Sequence, residues 1–141
     1  MTVIDFYTHI ADPLAVTIQL VRKAYAQYGN VRVLTKDEAM TDKLDKRLWI
    51  EPPHDFLPHC CLNSSLSGET PILLDHRLEH DGPAVVLINL QSQPPSFFSR
   101  FERLAEIVAG DDEALNEGRQ RYHFYKARGY ELRTHKLSAH D

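Results

Sequence analysis

The chain of 141 residues has little of what staples, anchors or catalyses. Its two cysteines, Cys60 and Cys61, are adjacent. Neighbouring residues are badly placed to bridge each other or to supply the spaced pairs of a tetrahedral zinc site. A chain this long buries about two-thirds of its unfolded surface without such help, so a reduced, cytoplasmic protein is expected. No run approaches the roughly 20 apolar residues of a membrane span, and "MTVIDFYTHIADP" lacks the basic start and apolar stretch of a secretory signal. The glycosylation pattern at Asn63 is then a chance match. Glycine is scarce, at six residues, and neither G-x-G-x-x-G nor G-x-x-x-x-G-K-[ST] occurs. The turn after the first strand-like run, "THIADP", has no glycine to let backbone amides close on a phosphate. Nucleotide enzymology is disfavoured on these grounds, and no cofactor or metal is expected.

What is present is a regular alternation. "TVIDFYT" (2–8) is β-branched and aromatic, as in a buried strand. Asp12 and Pro13 suit a helix start, with Leu14, Ile18, Val21 and Tyr25 on one face and Gly29 as the stop. "VRVL" (31–34) forms a second strand, and Thr35 with Glu38 forms a capping box for a helix to about Leu48. Pro52, Pro53 and Pro58 break the next segment. "PILL" (71–74) and "AVVLINL" (84–90) read as strands joined by a solvated hairpin whose turn is Asp81-Gly82-Pro83. A short helix at 97–102, a strand at 104–110, a helix capped by Asp111 and ended by Gly129, and a strand at 130–137 complete the chain. The pattern implies one three-layer α/β/α domain over residues 1–141. Its central sheet is largely parallel, with one antiparallel pair in the middle, and resembles a nucleotide-binding fold without its phosphate-binding loop.

Charge is unevenly placed. The net charge is −4, yet residues 119–136 carry six basic residues against the single acid Glu131. An acidic protein repels nucleic acid on approach, so strong direct binding to it is not expected, and a local basic face suits a small acidic target. Arg119, Tyr122, His123 and Lys126 fall at i, i+3, i+4 and i+7 of the last helix and share a face. Arg and Lys bracketing a tyrosine make an apolar notch with a positive rim, fit for an acidic peptide with an apolar end. Trp49, the only tryptophan, and Phe56 flank a proline-broken loop, either as core rings or as anchors for a partner.

Other constellations compete. His76, Glu79 and His80 match H-x-x-E-H, a zinc-hydrolase pattern that requires a helix. Asp5 and Asp75 could together hold a nuclease metal. "PHCC" could set a thiol beside His59, although adjacent cysteines are more often packing residues. Tyr122, Phe124 and Tyr125 could stack single-stranded bases.

Four blocks carry a resemblance to a known family: "FYTH" (6–9), "VRVLTKDEAMTDKLDKRLWIEPPHDFLPH" (31–59), "VVLINL" (85–90) and "RQRYHFYKARGYELRTHK" (119–136). Leu48-Trp49 followed by Pro52 and by Phe56-Leu57-Pro58-His59, with Arg119-x-Arg121-Tyr122-x-x-Tyr125 and later Gly129-Tyr130-x-Leu132, is a specific combination. Nearly end to end, the chain resembles the chi subunit of bacterial DNA polymerase III. The resemblance implies a non-catalytic α/β subunit that pairs with the psi subunit, through psi with the clamp loader, and grips the acidic, Phe-terminated tail of single-stranded DNA-binding protein. It places tail binding on Arg119, Tyr122, His123 and Lys126, and psi binding on Trp49, Phe56, Pro58 and His59. Some relatives carry a lysine where this chain has Leu115, and that position is left out of the expected site.

Overall fold

The protein, seen here in a computed structural model, is described at residues 2–50, 59–61, 72–78 and 85–137, with the backbone alone at 49, 50 and 59–61. Strand β1 (Val3–Ile10) leads to Asp12, whose Oδ1 accepts the Ala15 N–H at 3.2 Å and so caps α1 (Pro13–Tyr28). Gly29 ends that helix at φ 82°, a left-handed conformation that costs glycine little, and donates its N–H to the Tyr25 carbonyl. After β2 (Val31–Leu34) comes α2 (Glu38–Ile50). Its cap is Asp37, whose Oδ1 accepts the Met40 N–H at 2.8 Å, rather than the expected Thr35. The Thr35 hydroxyl is instead turned inward against that of Thr41.

The rest of the order is β3 (His59–Cys61), β4 (Ile72–Asp75), β5 (Val86–Asn89), a 3₁₀ turn at Phe98–Arg100, β6 (Arg103–Ala109), α3 (Asp112–Ala127) and β7 (Glu131–Lys136). The seven strands form one sheet in the order β3-β4-β2-β5-β6-β1-β7, and every neighbouring pair is parallel. This corrects the expected antiparallel pair. β4 and β5 lie on either side of β2 and parallel to it, so they do not pair with each other as a hairpin. The physical reason is visible in burial: all four residues of each of these strands are buried, the mark of an interior parallel strand covered on both faces. The three-residue β3 was not expected from the sequence, and Asp81, Gly82 and Pro83 lie outside the described residues.

Side chains alternate between two cores. Val31, Val33, Ile72, Leu74, Val86, Ile88, Ala105 and Ile107 meet α1 and α2 on one face. On the other, Ile4, Phe6, Leu34, Leu87, Leu104 and Val108 meet Phe97, Phe98, Phe101 and Tyr125, so α3 and the 3₁₀ turn form the third layer. The three-layer α/β/α reading holds.

Candidate partner-binding site

Helix α3 is capped by Asp111, whose Oδ2 accepts the Ala114 N–H at 3.1 Å, and Asp112 and Glu113 in its first turn complement the positive end of the helix dipole. Gly118, Arg121 and Tyr125 face inward. A Cβ on Gly118 would lie 2.9 Å from Val108 Cγ1, so the bare glycine is what lets α3 settle this close to β6. On the strand side, Tyr7 pairs with Ile107 but Ile10 with Ala109, so β1 holds one extra residue. Within that bulge His9 takes φ 60°, unusual for a residue other than glycine.

Between α3 and this bulged edge lies a cavity of about 210 Å³. Phe6, Val108, Leu115, Gly118 and Tyr122 supply its apolar lining, and Thr8, His9, Arg119 and Thr134 its polar lining. Tyr122 sits edge-on to Phe6, with ring centroids 5.5 Å apart. Arg119 is exposed at the cavity. The Lys126 ammonium lies 5.9 Å from the centre of the Tyr122 ring, within range of a cation–π contact, while His123 meets that ring edge-on at 6.2 Å. Arg119 and Tyr122 therefore line the notch itself, whereas Lys126 and His123 flank it from exposed positions.

A buried polar cluster sits behind this surface. Glu106, fully buried on β6, accepts hydrogen bonds from Arg121 Nε at 2.9 Å, from Asn89 Nδ2 at 2.9 and 3.1 Å, and from the Tyr125 hydroxyl. Arg121 also donates to the Ser92 carbonyl at 3.0 Å. Burial pushes the Glu106 carboxyl up to about 7, against the downward pull of the Arg121 charge and the donors around it. Burial and the neighbouring carboxyl also keep the Tyr125 phenol protonated, which preserves its role as a donor. Arg121 thus serves the interior and leaves the basic face one charge poorer than its composition suggests.

Sequence reasoning missed Phe6, Thr8, His9, Val108, Gly118 and Thr134, and set aside Leu115, which lines the cavity. For Leu115 and Gly118 a signal existed, because they lie four residues before Arg119 and Tyr122 on the same helix face. For the others it did not, since nothing local says that β1, β6 and β7 lie beneath α3. On the expected psi-facing surface, Trp49 falls in the last turn of α2 and His59 opens β3, each with backbone alone described. Phe56 and Pro58 lie outside the described residues.

The competing constellations fare differently. Residues 76–78 leave β4 as an irregular bend and not a helix, and Glu79 and His80 lie outside the described residues. Asp5 and Asp75 stand four strands apart, about 19 Å by ordinary strand spacing, too far to share an ion. No group of three or more His, Cys, Asp or Glu residues among the described ones could hold a metal. Tyr125 is wholly buried, so it cannot join Tyr122 and Phe124 as a base-stacking platform. No helix of the described residues is long and apolar enough to cross a membrane.

Residues 1–133 match the family described as DNA polymerase III chi subunit, HolC. The chain is 34% identical over 141 residues to a DNA polymerase III subunit chi of Pseudomonas aeruginosa, covering 97% of this chain and 98% of that one. It is 29% identical over 111 residues to that of Haemophilus influenzae, covering 76% and 75%. Against that of Escherichia coli it is 26% identical over 128 residues, covering 87% of each chain. A chain matched almost end to end in this way belongs to the DNA polymerase III chi subunit family.

Proposed function

We propose that the protein is a non-catalytic, cytoplasmic adaptor of the replicase, which grips the acidic C-terminal tail of single-stranded DNA-binding protein and reaches the clamp loader through a psi subunit. The observation that carries this is the apolar notch beside Arg119. A phenylalanine side chain is uncharged and bulky and needs such a hollow. The α-carboxylate that accompanies it at a chain end needs a fork of donors, which a guanidinium provides and an ammonium does not. Lys126 and His123, lying outside the notch, suit the tail's aspartates through solvent-screened contacts. The psi-facing surface falls to Trp49, in the last turn of α2, to His59, at the start of β3, and to Phe56 and Pro58, which lie between them in sequence.

Titration calorimetry with a synthetic tail peptide tests the assignment. Arg119→Ala is expected to cost about 2 kcal/mol, roughly thirtyfold in affinity, by stripping the partner from a carboxylate held against the protein. Lys126→Ala is expected to cost under about 1 kcal/mol, and to lose even that in high salt. A peptide that keeps its aspartates but lacks the terminal Phe should bind markedly more weakly. Equal binding by that peptide, or normal binding by a folded Arg119→Ala protein, is incompatible with the proposal.

A further inference from the structure

The sheet face opposite the notch carries a second hollow. α1 packs over β2, β5 and β6, and β1 and β7 continue beyond it. Between the C-terminal half of α1 and these two strands runs a groove of about 310 Å³. Lys23, Arg103 and Arg133 line it, together with the rings of Tyr7, Tyr28 and His135. Its one carboxylate, Asp5, is nearly buried and already engaged. Arg133 Nε lies 3.0 Å and Arg133 Nη2 3.1 Å from its oxygens, His135 Nε2 lies at 3.0 Å and Arg103 Nη2 at 3.9 Å. Three cations against one spent carboxylate leave the groove positive.

Its rings stand beside its cations and beside each other. Tyr7 and His135 stack with centroids 4.8 Å apart, and the Arg103 guanidinium lies 5.8 Å from the centre of the Tyr28 ring. A second hollow of about 510 Å³ shares Tyr28 and Arg103 and adds Arg100 and one carboxylate, the exposed Glu102, so cations still outnumber acids there by two to one. The basic and aromatic strip therefore continues from the groove into this second hollow. We propose that this strip contacts the backbone of single-stranded DNA over two or three nucleotides, weakly. Several cations placed along one groove beside aromatic rings suit a chain of phosphates with its bases alongside. An acidic peptide would be served by one cluster and an apolar anchor, as in the notch. The net charge of −4 limits the affinity, in keeping with the absence of strong binding expected from composition. Because Thr134 lines the notch while Arg133 and His135 line the groove, successive residues of β7 serve opposite faces, and both sites can be filled at once.

Fluorescence anisotropy of a short labelled oligo(dT) with the full chain at low salt provides the test. Binding is expected, with log K falling against log salt at a slope of about −2, as for about three phosphates on a single strand. Lys23→Glu together with Arg103→Glu should lower the affinity at least about tenfold by reversing two of the strip's charges. That double variant should keep its circular dichroism spectrum and its affinity for the tail peptide. Because Arg103 also faces Asp5, Lys23→Glu alone is a second variant that leaves that ion pair intact, with an expected loss of about threefold. Arg119→Ala should bind the oligonucleotide as wild type does, and the tail peptide should not displace it. No binding at low salt, indifference to Lys23→Glu, or displacement of the oligonucleotide by an oligo-aspartate peptide at equal charge concentration would each overturn the proposal.

Discussion

Gly118 sets the distance between α3 and the sheet. Its missing Cβ is the space that Val108 fills, and the same closeness shapes the floor of the notch. Gly118→Ala should gain helix propensity yet lose more through overpacking, for a net loss of about 1–2 kcal/mol in thermal unfolding, with weaker tail-peptide binding alongside. One and three residues on, chemistry alone would not separate Arg119 from Arg121, yet one is exposed at the notch and the other buried against Glu106. Glu106 gives stability a pH dependence whose sign is fixed. Its folded pKa, raised to about 7, exceeds that of an unfolded glutamate, so the protonated form favours the fold. That contribution is complete below about pH 4 and is lost as pH rises through about 7. Compared with Glu106→Gln, which cannot ionise, the wild type should lose ground between these limits by an amount approaching about 3 kcal/mol and then stay level. Urea unfolding of both proteins across that range measures it. A constant gap would mean that Glu106 is already ionised in the fold at low pH.

Most elements were legible because each carries its own punctuation. Asp12-Pro13, Gly29, Asp111 and Gly129 bound helices where the sequence says they should, and the two-residue period of the strands matches the two faces they cover. Strand neighbours were not legible. β4 and β5 follow each other in sequence around turn-forming residues, and only their burial on both faces marks them as interior parallel strands. The capping box failed for a local reason, since Thr35 and Asp37 are both good caps and burial of the Thr35 hydroxyl beside Thr41 leaves the role to Asp37. Asp37→Ala should therefore cost about 1 kcal/mol in denaturant unfolding by leaving the Met40 N–H without its acceptor. The same limit governed the site. The α3 half was readable from helical spacing, and the β1 and β7 half required knowing which strands lie under α3.

At the scale of the molecule, the notch lies by β7 at one edge of the sheet, while α2 packs toward β3 and β4 at the other. Six strand spacings separate the edges, about 29 Å, so the two proposed partners need not touch. Trp49→Ala should weaken psi binding by about 2 kcal/mol and leave tail-peptide affinity unchanged, with the Trp49→Ala, Arg119→Ala double variant additive to within about 0.5 kcal/mol. Loss of both activities together with a lowered melting temperature would instead mark Trp49 as a core residue. The sheet order also bears on how the chain is made. β1 is synthesised before the other strands of the sheet, yet both of its neighbours, β6 and β7, begin beyond residue 100. At ordinary elongation rates of about 5–20 residues per second, Ile4 and Phe6 wait roughly 5–20 s before either of their neighbouring strands exists. During that interval the nascent chain carries an apolar strand without its partners, the state in which pairing with another chain competes with the fold.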